Sequence, residues 1–222
     1  MTDKQSRGQP HDPAKFIAQN LRLEPVSAVP EISLYTAHSA SGLWRLTGRD
    51  GPPPYWAYRW AGGTVLARYL IDHPDAVRGK RVLDLGAGSG IVGIAAAMRG
   101  AASVVAAEVD PNGIAALKLN AAANGVAITP IGDDLLDGLP PHVELVAVGD
   151  LFYEAALAVR VAGFLDRCLA AGIACLVGDP GRAPLPLHRL ERIAEYDVPD
   201  FGGGHGGLSR VYRFVADPAR PG

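Results

Sequence analysis

From residue 80 to residue 180, short apolar runs alternate with longer amphipathic ones. "RVLDLG" (81–86), "SVVAAEV" (103–109), "VELVAVGD" (143–150) and "IACLVGDP" (173–180) are short and mostly apolar, and read as buried strands. Between them, "GIVGIAAAMRG" (90–100), "DPNGIAALKLNAAANG" (110–125) and "EAALAVRVAGFLDRCLAAG" (154–172) are long enough for helices. Asp110 and Pro111 open the second helix and Gly125 closes it. "VAITPIG" (126–132) reads as a strand that Pro130 pushes to an edge. "LHRLERIAEY" (187–196) reads as a short helix, and "SRVYRFVA" (209–216) alternates like a last strand. A β-α-β-α order of apolar strands predicts an α/β fold, a parallel sheet with helices on both faces.

The first third of the chain is less regular. Residues 1–13 are polar with Gly and Pro and are expected to form a disordered tail. An N-terminal extension follows over 14–63. In it, "AKFIAQNL" has helical spacing, while "EISLYTA" and "GLWRLTG" alternate like short strands. "GPPPYWAYRWAGG" (51–63) is too rich in proline and aromatic rings for a regular core element. "TVLARYLIDHP" (64–74) reads as a helix stopped before Pro74 and opens the main domain, 64–217.

Composition narrows the function. The 222 residues are 48% hydrophobic, enough for one large core. A net charge of -2 gives no basic footprint for nucleic acid. No apolar run reaches the ~18 residues of a membrane span. Cys168 and Cys175 lie in apolar segments, without metal-ligand spacing, and read as buried thiols. The first twenty residues have no apolar signal core and carry acids, so cytoplasm is expected, and Ala-rich helices without a transit peptide point to a bacterial source.

"VLDLGAGSG" (82–90) joins the first strand to the first helix of the main domain. Gly86, Gly88 and Gly90 let the backbone turn and approach a ligand, at the strand ends where open α/β sheets bind one. Two cofactors compete for it. Gly88-Ser89-Gly90-Ile91-Val92-Gly93 matches the dinucleotide pattern G-x-G-x-x-G, the feature of an NAD-dependent oxidoreductase. The first glycine, however, follows the strand at once. Asp84 in the strand end suits a cationic amino group better than a pyrophosphate. Glu108, ending the second strand, suits ribose hydroxyls of either cofactor. Asp134 of "GDDLL", ahead of Asp133, is placed to accept from an adenine amino group.

In that order, "VLDLGAGSG", "AAEVDP" and "GDDLL" are similar to the seven-stranded S-adenosylmethionine-dependent methyltransferases, over about residues 80–215. The resemblance implies a Rossmann-like sheet of strand order 3-2-1-4-5-7-6. It also implies that the Asp84–Gly90 loop holds the methionine part of S-adenosylmethionine and that Glu108 holds the ribose. The fourth strand ends in "GDLFYE" (149–154), whose Asp150-x-x-Tyr153 resembles the D/E-x-x-Y/F motif of a lysine methyltransferase group. No Pro-Pro follows the acid, as adenine and glutamine methylation would lead one to expect. "PPYWAYRWAGGTVLARYLIDHPDAVRGKRVLDLGAGSG", "GDLFYE" and "LVGDPGR" (176–182) together resemble the electron transfer flavoprotein beta-subunit lysine methyltransferases, extending the likeness to about 21–215. Ala61 stands where that family's form has proline. The family likeness implies that Trp60 and the Gly62-Gly63 turn lie against the cofactor, and Gly149 at the fourth strand's end is a further cofactor-binding candidate. It makes the flavoprotein beta subunit the expected substrate, with a ribosomal or other small protein as the alternative.

Chemistry then assigns roles. A lysine amine must be neutral to accept a methyl, which costs roughly 4 kcal/mol at pH 7.4. Phe152, Tyr153 and Trp56 are expected to supply an apolar channel that lowers the lysine pKa. Asp150 is expected to bind and aim the amine, with proton relay through water as a second role, unless it merely caps the helix from 154. Glu154 either opens that helix or touches substrate. Asp179 either contacts substrate or caps. His205 reads as a solvated loop residue.

Overall fold

The computed structural model describes residues 12–48, 51–198 and 207–217. An N-terminal part holds α1 (Pro13–Asn20), a hairpin of β1 (Arg22–Val26) and β2 (Val29–Thr36), and a one-turn helix α2 (Trp44–Thr47). The main part runs α3 (Ala61–Asp72), β3 (Arg81–Leu85), α4 (Ile91–Met98), β4 (Ser103–Ala107), α5 (Pro111–Ala123) and β5 (Thr129–Ile131). It continues with β6 (Leu145–Gly149), α6 (Ala155–Ala170), β7 (Ala174–Asp179), β8 (Leu190–Asp197) and β9 (Leu208–Phe214).

Seven strands form one sheet in the order β5-β4-β3-β6-β7-β9-β8. Numbered from β3, that is 3-2-1-4-5-7-6, the expected order. β3 to β7 are parallel; β9 is antiparallel to both β7 and β8, so the sheet is mixed at one edge. Alternating residues of β3 separate the two faces. Val82 joins Leu66, Leu70 and Ile94 from α3 and α4. Leu83 and Leu85 join Val161, Phe164 and Leu165 from α6. Helices therefore cover both faces. Among the described residues, no helix is long and apolar enough to cross a membrane.

The hairpin is tied to α5 by two asparagines. Asn124 pairs with both the N–H and the carbonyl of Ser33 (2.9 and 2.7 Å). Asn120, fully buried, accepts from the Tyr35 amide and donates to the Ser89 carbonyl, at 2.8 Å each.

Four expectations change. "GLWRLTG" is helical, not a strand, because Gly42 and Gly48 turn the chain at positive φ on either side and leave only one turn between them. β1 was not expected; its Pro25 and exposed pattern hide it, and its pairing with β2 makes it. "LHRLERIAEY" is mostly strand β8, not helix. A register irregularity between Arg192 and Ala194 breaks its alternation, and cross-strand pairs Glu191–Arg213 (2.6 Å) and Glu195–Arg210 (2.7 Å) hold it to β9. α3 starts at Ala61, so the expected boundary at 63/64 falls inside a helix.

The tail expected over 1–13 lies outside the described residues up to residue 11. Asp12 accepts from the Ala14 and Lys15 amides and starts α1 at Pro13. His205 also lies outside the described residues.

Candidate active site

A cavity of about 720 Å³ opens at the carboxyl ends of β3, β4 and β6. Of the expected site residues, Trp56, Trp60, Gly86, Gly88, Glu108, Asp134, Gly149, Asp150 and Tyr153 line it. Asp84, Gly90, Phe152, Glu154 and Asp179 are not on its wall.

The floor is the glycine loop. Gly86 sits at φ 67°, and a Cβ there would lie 2.5 Å from the Leu151 side chain. Glu108 braces the loop: its two oxygens accept from the Gly88 and Asp110 amides, at 2.8 Å each. Burial pushes its carboxyl pKa above the ordinary range. Gly90 turns the chain at φ 82° into α4, packed on Leu117. Asp84, fully buried, accepts from the Gly93 amide at 2.8 Å. It thereby caps α4, whose own cap position is a glycine without a side chain. Burial raises its pKa to about 7.

The opposite wall is built over β6 and β7. The first turn of α3 lies on these strand ends backbone to backbone. A Cβ on Gly62 would meet the Gly178 carbonyl at 2.3 Å; one on Gly149 would meet the Gly63 Cα at 2.6 Å. Gly62 and Gly63 thus belong to a helix, not to the expected turn. Ala61 takes the first helical position, where proline is also at home.

Asp150 follows directly, at φ 59°, the one positive φ outside glycine among the described residues. Its backbone N–H donates to the Gly178 carbonyl at 3.2 Å. Its Oδ2 accepts from the Gly63 amide at 2.6 Å, and its Oδ1 is 3.0 Å from the Arg182 guanidinium. So Asp150 does cap a helix, but α3 rather than α6: Trp60 at the α3 cap position provides no side-chain acceptor. Burial lifts the Asp150 pKa to about 7 against Arg182, which lowers it.

The remaining acids separate. Glu154 holds the cap position of α6 and is exposed. Asp179 is fully buried, and its Oδ1 accepts from the Gly181 and Arg182 amides at 2.6 and 2.7 Å, which shapes the loop after β7. Asp134 faces the cavity, yet its Oδ2 pairs with Arg160 at 2.8 Å and its Oδ1 accepts from the Leu136 amide. Arg160 holds its pKa down.

Four rings enclose the mouth. Tyr55 lies 5.6 Å from Tyr153 and 5.8 Å from Trp60, and Tyr58 lies 6.4 Å from Trp60. Trp56 is buried and donates to Asp110 at 2.9 Å, so it is both wall and core. Phe152 is wholly core, fully enclosed beneath α6, and supplies no channel. Sequence reasoning missed Tyr55, Tyr58 and Arg182; the quoted stretches "PPYWAYRW" and "GDPGR" contained them without roles.

Two solved structures share the fold. The ribosomal protein L11 methylase of Lactobacillus delbrueckii subsp. bulgaricus has TM-score 0.52 at 23% identity, covering 69% of this chain and 79% of that one. A putative RNA methyltransferase of Pyrococcus horikoshii has TM-score 0.53 at 17% identity, covering 78% and 92%. The family model "Ribosomal protein L11 methyltransferase (PrmA)" matches residues 64–138. The protein is a methyltransferase. The electron transfer flavoprotein beta subunit lysine methyltransferase of Danio rerio is 37% identical over 204 residues, covering 88% of this chain and 79% of that protein. Its Rattus norvegicus counterpart is 40% identical over 182 residues, covering 78% and 71%. The chain belongs to this family. The nicotinamide alternative falls with that finding, and these vertebrate relatives lend nothing to a bacterial source.

Proposed function

We propose that this protein transfers methyl groups from S-adenosylmethionine to lysine side chains of the electron transfer flavoprotein beta subunit. One observation carries the reading: a single cavity joins the glycine loop and Glu108 to Asp150 and Tyr153. Relatives of that name, similar over most of the chain, support the substrate.

The residues fit the cofactor. A cavity of about 720 Å³ lies within the range of ligand sites. Its floor is glycine backbone, and its half-buried Glu108 suits ribose hydroxyls. When bound, S-adenosylmethionine supplies a methyl on a sulfonium, open to in-line attack by an amine.

The chain's own residues do the rest. Glu108 orders the loop and faces the ribose position. Tyr55, Tyr153 and Trp60 exclude water from the mouth and lower the pKa of an entering lysine by desolvation. Asp150 accepts an N–H of the amine and aims its lone pair. Such orientation is worth several kcal/mol. Tyr153, half exposed beside Tyr55, packs along the lysine stem.

A ribosomal acceptor has one observation behind it. A ribosomal protein L11 methyltransferase of Actinobacillus pleuropneumoniae is 36% identical over 141 residues, covering 62% of this chain and 44% of that protein. The family-model match stops at residue 138, before Asp150, and so concerns the cofactor half. Incubation with labelled methyl donor and cell extract separates the readings. Label on a lysine of the flavoprotein beta subunit is expected. Label on a ribosomal protein alone would replace the substrate; no donor binding in calorimetry would end the proposal.

A further inference from the structure

A carboxylate beside a lysine amine poses a difficulty. Ionised, it favours ammonium; protonated, it no longer offers the same acceptor. We propose that Arg182 is a positioning residue that favours the ionised form of the Asp150 carboxylate and aims it, and so sets the pH range in which the site accepts an amine. This rests on the methyl-transfer reading.

The geometry is specific. Asp150 is held from two sides: the Gly63 amide donates to Oδ2, and the Arg182 guanidinium sits at ion-pair distance from Oδ1, an oxygen that takes no hydrogen bond among the described residues. Both side chains of the ion pair are largely buried, at 11% and 17% exposure, so the pairing is poorly screened by solvent. Arg182 is delivered by a built loop. Asp179 holds its backbone N–H and that of Gly181, and Gly181 turns at φ 101°, in the region glycine favours. Gly181 also lies near Arg210, which is engaged with Glu195.

Among the described residues, the groups that shift Asp150 pull in opposite directions. From the loop after β7, Arg182 favours the carboxylate; from β7, Asp179 opposes it. The α3 turn brings only the Gly62 and Gly63 amides, which favour it. Tyr153, whose phenol pKa burial pushes up, and Tyr55 line the cavity, and Glu108 stands on the glycine-loop side. Burial leaves Asp150 titrating at about 7 with the guanidinium in place. Without it the carboxyl titrates higher, and at neutral pH the O–H form goes from about half of the molecules to most of them.

Two readouts test this. Carboxyl-carbon NMR on the cofactor-free protein, assigned by difference from Asp150→Asn, gives the Asp150 midpoint. Arg182→Gln is expected to move it up by about 1–3 pH units, the effect of an opposite charge at this range. Arg182→Lys keeps the charge and is expected to restore most of it. Asp179→Asn keeps its acceptor oxygen, loses the opposing charge, and is expected to move the midpoint down. The acid limb of the methyl-transfer pH profile should follow the same order. An unchanged midpoint in Arg182→Gln overturns the proposal. So does a rate loss that is equal at every pH in the Gln and Lys variants. Should the wild-type protein methylate no lysine, the functional reading fails, while the carboxyl titration still decides the role of Arg182. If Arg182→Gln does not fold, the Lys and Asp179→Asn midpoints decide it.

Discussion

Asp84 and Asp150 end neighbouring strands and do the same structural work in opposite settings. Each is buried, each is raised to about 7 by that burial, and each caps a glycine-containing helix start that lacks a side-chain cap of its own. Asp84 reaches nine residues ahead, to Gly93, and is walled off from the cavity. Asp150 reaches back 87 residues, to Gly63, faces the cavity and has a cationic partner. A buried acid with a perturbed pKa is thus not by itself a site. Access and a counter-ion separate the two.

The largest expected effect tests the Asp150 side. Asp150→Ala is expected to lower methyl transfer by about 10²-fold or more, as loss of an aimed reactant does. Its cofactor Kd by calorimetry should stay within about threefold, because the glycine loop and Glu108 are untouched. Asp150→Asn tolerates φ 59° and separates charge from backbone strain. If Asp84→Asn lost transfer as deeply as Asp150→Ala, the distinction between the two acids would be wrong.

Gly62→Ala comes next and acts on the scaffold beneath Asp150. A Cβ would sit 2.3 Å from the Gly178 carbonyl and 2.7 Å from the Asp150 carboxyl carbon. Both neighbours are fixed, one by the sheet and one by its clamp. Overpacking of this kind costs about 1–3 kcal/mol. For a chain of this size the melting temperature should fall by roughly 3–10 °C. Transfer should fall with it, since α3 and Asp150 move together. An unchanged melting temperature would show that α3 does not rest on β7.

The same contrast explains what the sequence could show. The alternation of strands and helices and the glycine loop are legible because their signals are local: an apolar strand, glycines, then a helix, within about ten residues; the strand order came only through the family resemblance. Glu108 is legible for the same reason. The Asp150 wall is not. Gly62, Gly149 and Gly178 are ordinary in isolation, and only their mutual approach gives them meaning. Phe152, two residues past the acid, reads as channel in sequence and is core in space, because nothing in "GDLFYE" says which ring turns under α6. β8 was lost to a register irregularity that disguised its period.

Asp84 gives the smallest of these effects and the one with a definite sign in pH. Its unfolded pKa is near 3.9, and its folded value is about 7. The folded state therefore holds the proton more tightly between those limits. Stability at this site is present below pH 4, is lost as pH rises to about 7, and changes little beyond. Asp150, raised likewise, and Glu108, raised by burial, tilt the wild type the same way. Asp84→Asn keeps an oxygen for the Gly93 amide and removes the ionisation. Its melting temperature relative to wild type should therefore be several degrees higher at pH 8 than at pH 5, measured without cofactor. If that difference were the same at both pH values, Asp84 would be ionised throughout, and only Asp150 would answer to burial as described.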